Sequence, residues 1–89
     1  MEVRYRESFL RDLKKLKKLP IYEKIFLLSF ETLPSTAELR DVPGVKALQG
    51  HPHRFRIRVG SYRIGIETAA GTIEMVRVLD RREFYRYFP

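Results

Sequence analysis

The 89-residue chain contains no cysteine, so neither disulfides nor a thiolate metal site contributes to its stability. It has no long apolar run either. The longest, around "IFLLSF", falls well short of the about 20 residues that a membrane-spanning helix needs. The opening "MEVRYRESFL" lacks the apolar core of a signal peptide. Internal repeats, domain linkers and low-complexity segments are missing as well. No histidines and carboxylates stand at metal-ligand spacing, so neither a metal nor another cofactor is expected. Together these absences predict one small cytoplasmic domain, residues 1–89, with no membrane partner and a single core.

Acidic residues are the other shortage. Eleven Asp and Glu face eighteen Lys and Arg, for a net charge of +7, which points to a polyanionic partner. The basic residues are also segregated. All six lysines precede residue 54, and every basic residue from Arg54 onward is an arginine. Both side chains confer solubility, but only arginine presents a planar fork for bidentate contact with phosphate or carboxylate.

Periodicity predicts an α+β fold. "MEVRYR" alternates, as a short strand with Val3 and Tyr5 inward. "ESFLRDLKKLKKLP" is an amphipathic helix with Phe9, Leu13 and Leu16 on one face, stopped by Pro20. "PIYEKIFLLSFETLP" is a second helix whose broad apolar face holds Tyr22, Ile25, Phe26, Phe30 and Leu33 around the small Ser29. This helical hairpin needs a small antiparallel sheet to cover it. Residues 35–53 read as connector, with capping-box spacing at Ser35 and Glu38 and breaks at Pro43-Gly44, Gly50 and Pro52. A short helix, "RREFYRYFP", ends the chain with Phe84 and Phe88 one turn apart.

The sheet holds the unusual feature. "RFRIRVGSYR" (54–63) places four arginines in a hairpin whose Gly60-Ser61 connection favours a type II′ turn. That turn pairs Val59 with Tyr62, Ile57 with Ile64 and Phe55 with Ile66 on the inner face. On the outer face it sets Arg58 against Arg63, Arg56 against Gly65 and Arg54 against Glu67. A three-residue turn "AAG" (69–71) would then set Ile64 against Val76, Tyr62 against Val78 and Arg63 against Arg77. The result is a stripe Arg58–Arg63–Arg77 on an open face. Each like-charged pair costs a few tenths of a kcal/mol to about 1. Arg54 opposite Glu67 is neutralised; the hairpin's other arginines have no acidic cross-strand partner. Gly65 leaves room for a close approach. A phosphate-binding surface explains the stripe better than stability does.

"ALQGHPHRFRIRVGSYRIGIE" followed by "MVRVLDRREFYRYFP" resembles the RelE/ParE superfamily of type II toxin–antitoxin toxins. The family pattern is a Lys-Leu-x-Gly-like loop, a Tyr/Phe-Arg-x-Arg-x-Gly-x-Tyr-Arg hairpin, a strand ending in a His-Arg-like pair, and a Tyr-bearing helix. Its counterparts here are 47–50, 55–63, Asp80-Arg81 and Tyr85, and "FLRDLKKL" resembles the family's first helix. The resemblance implies the RelE-like arrangement of strand, helical hairpin, antiparallel sheet and terminal helix.

The resemblance further implies a toxin restrained by a cognate acidic antitoxin. RelE-like members cleave mRNA in the ribosomal A site; ParE-like members poison DNA gyrase. RNA can be cut by its own 2′-hydroxyl when that group is held in line with the adjacent phosphate, and this chain, without a metal-ligand cluster, would do so without a metal. Carried over, the catalytic residues are Arg63, Arg81 and Tyr85, and Arg56 and Arg58 bind RNA phosphate; the stripe adds Arg77 to the phosphate-binding set. Asp80 departs from the histidine found in many relatives, and His53, in the preceding loop, is a candidate replacement proton donor. The missing histidine favours the gyrase-poison alternative; the arginines and Tyr85 favour the ribonuclease. A plain basic nucleic-acid-binding domain would rest on charge alone.

Overall fold

The computed structural model describes residues 1–88. Strand β1 (Glu2–Tyr5) leads into α1 (Glu7–Lys14) and α2 (Ile21–Leu27). The second helix continues through a π turn at Leu28–Thr32 into α3 (Leu33–Ser35). A 3₁₀ turn (Leu39–Asp41) precedes β2 (Val45–Ala47), β3 (Arg54–Val59), β4 (Tyr62–Ala69) and β5 (Thr72–Asp80), and α4 (Arg81–Tyr87) follows. The five strands form one sheet in the order β1-β5-β4-β3-β2. Among the described residues, no helix is long and apolar enough to cross a membrane.

The sheet is mixed rather than wholly antiparallel, because β1 pairs parallel to β5, with Val3 opposite Ile73 and Tyr5 opposite Met75. The helical hairpin between β1 and the other strands supplies the long crossover that a parallel pair requires. The segment read as connector also contributes β2, whose Val45, Lys46 and Ala47 pair with Ile57, Arg56 and Phe55. Three residues are too few to show a period. The capping box does not form: Ser35 Oγ donates to the carbonyls of Glu31 and Thr32 instead.

One face of the sheet carries the core. Phe9, Leu13, Leu16, Ile25 and Leu33 from the helical hairpin pack on Ile57, Val59, Ile64, Ile66, Ile73, Met75 and Val78. Helix α1 ends earlier than the lysine run suggests. Leu16 and Leu19 donate to the carbonyls three residues back, and this tightening turns Leu16 into the core. The π turn frees the Ser29 carbonyl, which accepts from the Tyr5 hydroxyl at 2.7 Å. The extra residue also rotates the helical face, so that Ser29 and Leu33 are buried while Phe26 is exposed.

The β3–β4 hairpin has the expected register at all six pairs. Gly60 sits at φ +58° while Ser61 keeps a negative φ, as a type II′ turn requires. The β4–β5 register differs. The loop has two central residues, Ala70 and Gly71, both left-handed, between the paired Ala69 and Thr72. Val76 is then an extra residue in β5, since Gly65 pairs with Arg77 but Ile66 pairs with Met75. The bulge lets Val78 and Met75, an odd number of residues apart, both face the core. Its freed Val76 carbonyl accepts from Ser8 Oγ at 2.6 Å.

Helix α4 covers part of the opposite face, which is therefore not fully open. Phe84 and Phe88 are buried there, apart from the main core. The space at Gly65 is filled by Phe88: a methyl at Gly65 would lie 2.7 Å from that ring. Gly65→Ala should cost about 1–3 kcal/mol, because the helix must lift or Phe88 must leave. A thermal melt checks this, and an unchanged midpoint would mean that α4 is only loosely held.

Candidate functional site

The shifted register separates the expected stripe into two rows. Arg58 faces Arg63, and Arg63 faces Leu79 rather than Arg77. The second row runs Lys46, Arg56, Gly65, Arg77. Arg77 does not stand free in it. Its Nε and Nη2 donate to Asp12 at 2.7 and 3.1 Å, and its guanidinium lies 5.4 Å over the Tyr87 ring. The Asp12 hydrogen bond holds the Arg77 pKa above the ordinary arginine value.

The remaining arginines gather at one end of the sheet. Arg63 Nη1 donates to the carbonyls of Gly60 and Tyr62, both at 3.0 Å. The backbone N–H of Arg81 donates to the intervening carbonyl, that of Ser61, at 2.8 Å. Arg58 is the cross-strand neighbour of Arg63. Three guanidinium-bearing residues thus converge on the Gly60–Tyr62 turn. Arg56 reaches to the side, donating to the Gly44 carbonyl at 2.7 Å. Among the described residues, none of Arg56, Arg58, Arg63 and Arg81 makes an ion pair, whereas Arg54 and Arg77 do.

Tyr85 stands one turn after Arg81, on the same flank of α4. Its ring packs edge-on against Phe84 at 4.9 Å, yet 58% of the residue is exposed, leaving the phenol accessible. Tyr87 lies on the other flank, over Arg77. Tyr62, as expected, points inward and packs on the core.

Asp80 is a helix cap. Its Oδ1 accepts from the Arg82 N–H at 2.9 Å, and that bond, with the neighbouring Arg82 and Arg81 charges, lowers its pKa below the usual carboxylate value. Its support of α4 is complete above about pH 4, near the unfolded value, and is lost as pH falls through the lowered folded one. An ionised carboxylate cannot donate a proton at neutral pH. Asp80→Asn, which also caps well, should therefore leave activity within about threefold. A hundredfold loss would make Asp80 a participant in proton transfer.

His53 is not brought to the arginine cluster. It lies in a shallow surface pocket with His51, Arg54 and Glu67, beyond the far end of β3, and its carbonyl accepts from the Thr68 N–H. At about 3.3 Å per residue, roughly 16 Å of strand separates it from Arg58. One basic residue escaped the sequence reading. Lys46 is exposed beside Arg56, and only the pairing of β2 reveals it.

No family model matches the chain. The toxin RelE3 of Methanocaldococcus jannaschii is 39% identical over 90 residues, covering all of both chains. The toxin–antitoxin complex RelB–RelE from Methanococcus jannaschii superposes with a TM-score of 0.76 at 36% identity, covering 97% of this chain and 99% of that one. The RelBE2 complex of Mycobacterium tuberculosis gives 0.70 at 28% identity, over 90% of both. With its full-length likeness to RelE3 and an arginine cluster on the hairpin turn of the same fold, this chain belongs to the RelE family of toxins.

Proposed function

We propose that this protein is the toxin of a type II toxin–antitoxin pair, acts in the cytoplasm on mRNA held by the ribosome, and is neutralised by a cognate acidic antitoxin. The observation that carries this reading is the convergence of Arg58, Arg63 and Arg81 on one turn without acidic partners among the described residues. A cluster that stability disfavours is explained by an anion that it serves.

The chemistry needs little more. A ribose 2′-oxygen attacks the adjacent phosphorus, the bond from phosphorus to the 5′-oxygen breaks, and a 2′,3′-cyclic phosphate and a 5′-hydroxyl result. One proton leaves the 2′-hydroxyl and one reaches the 5′-oxygen. The guanidiniums of Arg63, Arg58 and Arg81 neutralise charge as it builds on the phosphoryl oxygens. Arg63 is preorganised for this, because Nη1 is held by two carbonyls while Nε and Nη2 meet no protein acceptor among the described residues. Arg56 and Lys46 extend the positive surface along the RNA backbone, and the exposed Tyr85 phenol, one turn after Arg81, is the proposed proton-exchanging group. Arg77, engaged by Asp12, serves to hold α4 and α1 together rather than to bind phosphate.

Primer extension on mRNA from cells expressing the protein, beside a gyrase supercoiling assay, tests this function. Cuts inside translated frames with normal gyrase activity are expected. Intact mRNA with trapped gyrase–DNA complexes would assign the chain to the ParE-like activity.

A further inference from the structure

Helix α4 carries Arg81 and Tyr85, yet at seven residues it is too short to hold its own position. Its first turn is fixed by the Asp80 cap and by the Arg81 N–H on the Ser61 carbonyl. At its other end two guanidiniums lie over consecutive aromatic residues, Arg54 over the Phe88 ring at 5.3 Å and Arg77 over the Tyr87 ring at 5.4 Å. Each is also engaged by a carboxylate. Glu67, itself paired with Arg6, accepts from Arg54 Nε at 3.0 Å, and Asp12 accepts from Arg77 Nε at 2.7 Å. Among the described residues, Arg54 and Arg77 are the two arginines of β3, β4 and β5 that make ion pairs, and they are the same two that lie over rings. Only a planar guanidinium can offer its face to a ring while its edge donates to a carboxylate.

We propose that Arg54 is a positioning residue of the reaction: with Arg77 it clamps the end of α4 to the sheet and thereby sets where the Tyr85 phenol stands relative to Arg63 and Arg81. Phe88 is the buried half of the clamp, its ring seated on Gly65 with the Arg54 guanidinium over it. Tyr85, by contrast, is mostly exposed, so its place follows the helix backbone rather than a pocket around its ring. Release of Phe88 lets the last turn of α4 shift, and a displacement of about 1 Å between reacting groups can cost about a hundredfold in rate. The arginines of the sheet thus divide into a set that faces substrate and a pair that acts through the helix. The effect on cleavage rests on the ribonuclease reading; the clamp itself does not.

Arg54→Lys keeps the charge and a partner for Glu67 but loses the planar stack, so any grip on RNA phosphate survives while the clamp opens. Single-turnover cleavage at saturating programmed ribosomes should fall about tenfold, with the half-saturating ribosome concentration within about twofold of the parent. On a Tyr85→Phe background the same change should cost less than about twofold, because the group it positions is gone. An equal loss in both backgrounds would overturn the proposal, as would an unchanged rate or a loss confined to half-saturation. Hydrogen exchange in the purified protein needs no RNA. The Phe88 N–H, which donates to the Phe84 carbonyl at 2.8 Å, should exchange at least about tenfold faster in Arg54→Lys, and the Arg81 N–H as in the parent. Equal exchange at Phe88 would also overturn the proposal. A parent that does not cleave, or Tyr85→Phe cleaving at the parent rate, would instead fail the ribonuclease reading or the part of Tyr85 in it, and the exchange comparison still decides the clamp.

Discussion

Replacing Asp12 with alanine should destabilise the protein by about 2–4 kcal/mol, a large share of what a domain of this size holds. Asp12 is 5% exposed and lies where β5 runs on past its four pairs with β1. There it accepts from the Val78 N–H at 3.1 Å and from Arg77 at two positions. It thus closes the bare edge of the strand and anchors the arginine on which Tyr87 rests. Removal leaves a buried N–H without an acceptor, at about 1–3 kcal/mol, together with a guanidinium that has lost its counter-charge. Arg77 is partly exposed and can regain water, which keeps the total below that of a fully buried broken pair. Asp12→Asn retains an acceptor for Val78 and should lose about half as much. Urea unfolding gives both numbers; a loss under about 1 kcal/mol for the alanine variant would show that the edge is closed by other means.

Arg63→Gln should reduce cleavage about a hundredfold, the scale of one preorganised donor lost from a developing oxyanion. Its effect on stability should be small and of either sign, within about 1 kcal/mol. The side chain gives up hydrogen bonds to two turn carbonyls that water can replace, and the change relieves repulsion from Arg58 across the strand. Glutamine keeps a long polar group on the same half-exposed site. Single-turnover cleavage on programmed ribosomes and a thermal melt, done on the same preparation, read the two quantities independently. A variant that melts several degrees early and cleaves in proportion to its folded fraction would make Arg63 a structural residue.

Local signals carried much of the fold. The Gly60-Ser61 turn, with alternation on both sides, determines the β3–β4 register completely, because side-chain period and turn geometry agree there. The β4–β5 register was not legible, since a bulge leaves no mark in alternation except one misplaced residue, Val76. The shorter turn and the bulge together moved Arg77 away from Arg63 and into the hands of Asp12, a contact across 65 positions that no local pattern signals. Gly65 was visible as a gap but not its occupant, because Phe88 arrives from the far end of the chain. The arginines without acidic cross-strand partners were legible as an anomaly, and two of them, Arg58 and Arg63, form the candidate site with Arg81 of α4. Lys46 was hidden by a strand too short to show a period, and the distance of His53 from the cluster became apparent only along the folded strand.

The most direct test of the proposed chemistry is the identity of the new RNA ends. Cleavage by the ribose's own 2′-hydroxyl, assisted by the arginines at the hairpin turn, leaves a 2′,3′-cyclic phosphate on one fragment and a 5′-hydroxyl on the other. End-group analysis of fragments made by the purified protein on programmed ribosomes should find that pair. A 3′-hydroxyl paired with a 5′-phosphate would mean that water or another external nucleophile attacked, and would contradict this mechanism.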